Sequence, residues 1–265
     1  MSLLEHHLSP ATGWSARGLP TLREIVATPL PQAFPDRWLA KTMAAVARRS
    51  VRAIHGLEHV STPRDPFILA LNHNTRIEAL FVPALLMLHR RGRLIHFLAD
   101  WNFRLIPGVN QLYLRGGAIT VTRKPARPAF LNVLKPLFTS ATSPMEQARA
   151  HILAGRPIGV FPEGAVNRNP TRLMRGRFGA ARLSLETGAP IAPAGIRLID
   201  PYGGLALSGR ALIEVHIGPL LHPPAASASV ASAAEVRAWH AVMMTDIARL
   251  SGKSWIAPRE THHDP

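Results

Sequence analysis

The feature that most constrains this chain is an alternation. Six short apolar runs, Pro66 to Leu71, Leu94 to Leu98, Ala118 to Thr122, Ile158 to Phe161, Ile191 to Ile196 and Ala211 to Ile217, are separated by longer stretches. Helical spacing marks those intervals near residues 77–90, 128–138, 145–154 and 179–187. Runs too short for helices and largely apolar read as strands of a mostly buried sheet, and helices between them supply the covering layers. An α/β fold is expected, with a central mixed, mostly parallel sheet covered by helices. At 47% hydrophobic residues the chain can bury such a core.

The flanking segments read differently. Five prolines without sustained periodicity make residues 1–35 an expected irregular arm. From Asp36, a candidate N-cap, Leu39, Met43 and Val46 recur at helical spacing beside Lys41, Arg48, Arg49 and Arg52. That amphipathic helix belongs with the α/β domain, 36–221, and suits either core packing or a membrane surface. Residues 222–265 form a Pro/Ala/Ser-rich linker and a last helix expected to pack on the same domain. There Ser232 and Glu235 make a capping box, and Val236, Trp239, Met243, Ile247 and Leu250 form one stripe ending at Gly252.

Charge narrows the partners. The net charge is +15, and twelve of those charges fall in residues 89–128 and 164–185. Such a balance favours anionic partners. A specific nucleic-acid reader is not expected, because there is no reader helix, zinc motif or cluster of stacking aromatics. The absence of cysteine excludes disulfides, thiolate metal sites and a Cys nucleophile. Of thirteen histidines, His6-His7 and His262-His263 lie near the ends, and no spaced ligand pair accompanies a suitable carboxylate, so no metal site is expected. The richest apolar run, Ala79 to Leu88, spans ten residues and contains Pro83, too short to cross a bilayer. With charges interrupting the first thirty residues as well, a cytoplasmic protein is expected, with the membrane surface open to it.

Chemistry concentrates at two strand exits. Asn72-His73-Asn74-Thr75-Arg76-Ile77-Glu78 follows one strand and precedes an apolar helix. On one continuous helix His73 and Glu78 would point about 140° apart, so they meet only across a turn. Asn74 and Thr75 permit that turn, and Glu78 could then orient the imidazole while it removes a hydroxyl proton. Equally, Thr75-x-x-Glu78 is a capping box that would occupy the carboxylate with backbone N–H groups. The second exit, Phe161-Pro162-Glu163-Gly164, leads into Arg168, Arg172, Arg175 and Arg177, guanidinium forks suited to phosphate. Between the two, Gly117 to Arg123 runs a strand into another arginine.

In this order the blocks resemble the glycerophospholipid acyltransferase family typified by bacterial lysophosphatidic acid acyltransferase. Its Asn-His-x4-Asp block is similar to Asn72, His73 and Glu78, and its Gly-rich strand ending in Arg to Gly117–Arg123. Its Phe-Pro-Glu-Gly block stands at Phe161–Gly164. Its last two blocks resemble Arg177-Phe178-Gly179-Ala180 and Ile191-Ala192-Pro193. Glu78 replaces the usual Asp, and Ala165-Val166 stand where the family often has Thr-Arg. The resemblance, over roughly residues 50–220, implies transfer of a fatty acyl group from acyl-CoA or acyl carrier protein to a lysophospholipid, above all 1-acylglycerol-3-phosphate. No further cofactor and no metal is implied. It makes His73 the base and Glu78 its partner, with Arg123, Glu163, Gly164, Arg168 and Arg177 holding the acceptor. The helix from Ile77 to Leu88, with Trp101, Phe103 and Leu105, becomes candidate acyl-chain surface. It also implies a peripheral enzyme on the inner, anionic membrane face, with residues 36–52 as its contact. A weak or inactive member that only binds anionic phospholipid is the alternative.

Overall fold

A computed structural model describes residues 14, 17–106, 109–122, 125–126, 129–200, 211–224 and 231–257. In chain order its strands are β1 Val51–His55, β2 Ile68–Leu71, β3 His96–Asp100, β4 Ile119–Val121, β5 Ile158–Val160, β6 Ile191–Ile199 and β7 Leu212–Ile217. They form one sheet ordered β1-β7-β6-β2-β5-β3-β4. The neighbours from β6 to β4 pair in parallel; β7 turns antiparallel to β6 and carries β1 in parallel beside it. The mixed, mostly parallel sheet anticipated from the alternation is present. Every residue of β2 is buried, as a strand covered on both faces requires.

The helices are α1 Leu22–Ala27, α2 Phe34–Ala47, α3 Glu78–His89, α4 Val109–Arg115, α5 Pro144–Leu153, α6 Gly179–Thr187 and α7 Ala233–Ser251. One core joins α2 and α3 to the face of the sheet that carries Leu69, Leu71, Ala194 and Val215. On the opposite face, residues of α5, α6 and α7 close over Ile68, Ala70, Ile158 and Ile191. At Gly195 in β6 a Cβ would sit 2.1 Å from the backbone of Leu250 and Ser251, so the end of α7 rests directly on strand backbone. That contact fixes where the chain after α7 emerges.

Several boundaries differ from the sequence reading. The arm expected to be irregular contains α1, started by a Thr21/Glu24 capping box. Asp36 is not the N-cap of α2 but lies in its first turn, ion-paired with Arg115. The face that α2 buries is Ala40, Ala44 and Ala47, while Val46 is exposed, because the small alanines allow close approach to the neighbouring helix α3. Val51 and Arg52 belong not to α2 but to β1, a strand the periodicity did not indicate. The helix expected near 128–138 is a 3₁₀ run, Ala129–Phe138, without a buried residue. Among the described residues no helix is long and apolar enough to cross a membrane.

Candidate active site

Parallel pairing sends β2, β3, β4, β5 and β6 out at one edge of the sheet, and the chemistry gathers there. Beyond Leu71 the Asn72 side chain continues the ladder in place of backbone. Its Nδ2 donates to the Ile196 carbonyl (3.0 Å), and its Oδ1 accepts the Ile196 N–H (2.6 Å). Asn74 Nδ2 donates to the same carbonyl at 2.9 Å. Lys253 Nζ, just past the end of α7, donates to Asn74 Oδ1 at 2.6 Å and to the Asn169 carbonyl at 2.7 Å. The turn that sequence spacing demanded is therefore held from two distant parts of the chain.

Across that turn His73 Nδ1 and Glu78 Oε1 are 2.8 Å apart, and both residues are buried. Glu78 Oε1 also accepts the Asn74 N–H. The two roles open at the sequence level are thus both realised: the carboxylate ties the backbone at the start of α3 and receives the imidazole. An ionised carboxylate only accepts, so Nδ1 carries the proton and Nε2 is left with its lone pair. Nε2 has no hydrogen-bond partner among the described residues. The ring stacks on Phe161, centroids 4.3 Å apart. Burial pushes the Glu78 carboxyl up from its ordinary range, opposed by the His73 hydrogen bond and charge and by the amides of Thr75 and Asn74.

Glu163 does something other than expected. Its Oε1 accepts the His73 N–H at 3.0 Å; its Oε2 accepts from Asn167 Nδ2 (2.6 Å) and from the Met174 N–H (2.8 Å). In return the Asn167 N–H donates to the His73 carbonyl at 2.6 Å. Both Glu163 oxygens are thus engaged within the protein, holding the His73 backbone and shaping the loop after β5. Gly164 likewise is not an open approach for a ligand. Its φ is 68°, and a Cβ there would lie 2.5 Å from Arg177 Nε, so the arginine side chain occupies that space. Arg168 and Arg177 are exposed and have no ion-pair partner among the described residues. Arg123 lies outside the described residues. Of the candidate acyl surface, Trp101 and Val82, Leu85, Leu86 and Leu88 of α3 are core, and Phe103 stacks on Tyr113.

Sequence reasoning missed Asn167 and Lys253 as parts of the site. Asn167 carried a weak signal, a short polar side chain just after a strand exit. Lys253 carried none, since only the docking of α7 on β6 brings it to Asn74. Burial pulls the Lys253 ammonium down from its ordinary range, while the nearby Glu163 and Glu78 carboxylates raise it.

The sequence model of the acyltransferase family matches residues 51–197, more than half of the chain. This chain belongs to the acyltransferase family. The match runs from β1 to β6 and takes in His73, Glu78 and the loop from Glu163 to Arg177. Among solved structures the fold is similar to the 1-acyl-sn-glycerophosphate (LPA) acyltransferase PlsC from Thermotoga maritima. The TM-score is 0.53 at 18% identity, over 83% of this chain and 82% of that one. No curated protein matches. With Nδ1 tied to Glu78, His73 Nε2 is the ring nitrogen able to accept a proton.

Proposed function

We propose that this acyltransferase moves a fatty acyl group from an acyl thioester, on coenzyme A or acyl carrier protein, to the hydroxyl of a lysophospholipid. The best-fitting acceptor is 1-acylglycerol-3-phosphate. The observation that carries this reading is the 2.8 Å His73–Glu78 contact with Nε2 left unbonded, on the rim where exposed arginines stand. Nε2 takes the acceptor's hydroxyl proton as the oxygen attacks the thioester carbonyl. That attack forms the C–O bond and a tetrahedral intermediate, whose collapse restores the carbonyl, breaks the C–S bond and returns the proton from Nε2 to the departing thiolate. A base so placed is worth about 10²–10⁴ in rate. Arg168 and Arg177 offer the acceptor's phosphate its guanidinium partners, and the family resemblance adds Arg123. The alternative, a lipid binder without catalysis, rests on Glu78 in place of Asp and on Ala165 and Val166 in place of Thr-Arg; the longer side chain at 78 still reaches the imidazole.

Peripheral membrane contact is part of this proposal, and its support lies on the same rim. Phe130, Val133 and Leu137 of the 3₁₀ run are 73%, 77% and 76% exposed. That run packs through Phe138 on Trp101 and Arg104, directly beyond the carboxyl end of β3. In α2, Phe34 and Trp38 are exposed too. However, the start of α2 is tied to Arg115 and, through Gln32, to Gly92, which precede the amino ends of β4 and β3. The rim stripe is therefore the contact we favour over residues 36–52. Sedimentation with phosphatidylglycerol vesicles should weaken more for Val133→Asp than for Trp38→Asp; the reverse order would move the contact to α2. The reaction is tested by thiol release from acyl-CoA or acyl carrier protein thioester given lysophosphatidic acid. His73→Ala should lower it by about 10²–10⁴ with the fold intact, and unchanged turnover would reject the base.

A further inference from the structure

We infer that His55, Glu214 and His216 form a binding site for a divalent transition-metal ion, zinc foremost, at the β1–β7 end of the sheet. Parallel pairing sets His55 directly opposite His216, and Glu214, two residues earlier on β7, shares its face. One ligand atom from each lies within 4.8 Å of the others. This revises the expectation of no metal site, because strands far apart in sequence supply the set.

The decisive detail is at His216. Its Nε2 is sealed from solvent and has no hydrogen-bond partner. It lies 3.6 Å from Glu214 Oε2, too far for a hydrogen bond. Bonds of about 2.0–2.1 Å from each atom to one zinc ion would meet at about 125°, between tetrahedral and trigonal. The other oxygen, Oε1, is engaged by Arg52 Nε at 3.4 Å, so Oε2 is the one left to ligate. His55 is exposed and stacks on His216 with centroids 4.7 Å apart, which brings a third ligand from the solvent side and leaves a position for water.

The donor set selects the metal. Two imidazoles suit zinc, nickel or copper, whereas one carboxylate shared with Arg52 is a poor host for calcium or magnesium. The site lies on β7 and β1, apart from the His73–Glu78 turn on β2, and joins the edge strand β1 to its neighbour.

The test uses the full chain, stripped with chelator and titrated with Zn²⁺, with Co²⁺ as a spectroscopic probe. We expect one saturable site, a rise in melting temperature on Zn²⁺ addition, and a Co²⁺ absorption band of low coordination number. His216→Ala and His55→Ala should each weaken that binding at least about tenfold and remove the melting shift, while acyl transfer by the stripped protein stays unchanged. Equal Zn²⁺ affinity in wild type and His216→Ala would assign binding to other histidines and overturn the site, as would absence of saturable binding. Should His216→Ala fail to fold, Glu214→Gln decides: undiminished affinity there overturns the proposal.

Discussion

At the carboxyl end of β2 an imidazole nitrogen lies 2.8 Å from a carboxylate oxygen; on β7 the corresponding distance is 3.6 Å. The first pair is hemmed in on every side. Phe161 covers the ring, the Glu163 carboxylate and the Asn167 amide hold the His73 backbone, and the Asn74 N–H shares Glu78 Oε1. Nδ1 is thereby committed to a proton, and the chemistry is left to Nε2. On β7 the backbone is fixed by strand pairing, but no hydrogen bond commits the His216 Nε2. The same two residue types are thus proposed as a proton-transfer dyad in one place and as an ion site in the other. What decides is the set of neighbours that assigns, or fails to assign, the proton.

Losing His73 should separate the two pairs most sharply. In His73→Ala thiol release should fall by about 10²–10⁴, on the order of 3–5 kcal/mol of barrier. Its melting response to Zn²⁺ should be retained; loss of both would mean the pairs are not independent. Next in size is Glu163→Ala, which strands the His73 and Met174 N–H groups and the Asn167 amide in a buried place. Urea unfolding should show a loss of about 3 kcal/mol, and turnover should drop as the backbone of His73 slackens. Full activity in that variant would show that the first pair does not need its surroundings.

Gly164→Ala should lose about 1–2 kcal/mol by the same measurement, since alanine at φ 68° is strained and its Cβ would press on Arg177. The smallest effect concerns Glu78. Because burial raises its carboxyl in the folded state, its favourable contribution is complete below the unfolded value and is lost as pH rises through the raised folded value. Glu78→Gln does not ionise and keeps an acceptor for the Asn74 N–H. Its melting temperature relative to wild type should therefore climb as pH rises from acid to neutral, while its activity falls. A difference independent of pH would mean that Glu78 is not a desolvated charge.

What lay within one short segment was readable from the residues. The strand cores, the capping box and apolar stripe of α7, and the need for a turn between His73 and Glu78 all follow from local spacing, because side-chain direction repeats every 2 or 3.6 residues. Even there, the burial of α2 through Ala40, Ala44 and Ala47 escaped the pattern, since hydrophobicity alone does not say which face a neighbouring helix can approach closely.

The chain by itself settled an α/β sheet, an acyltransferase-like order of motifs, and that His73 and Glu78 could meet only across a turn. Tertiary structure alone decided that Glu163 holds the His73 backbone, that Lys253 arrives at Asn74, and that His55 stands beside His216. Each of these depends on strand register or on a helix docking against backbone. Such contacts join residues with no local relation in sequence, and one residue of slip in register would turn the side chains to the opposite face.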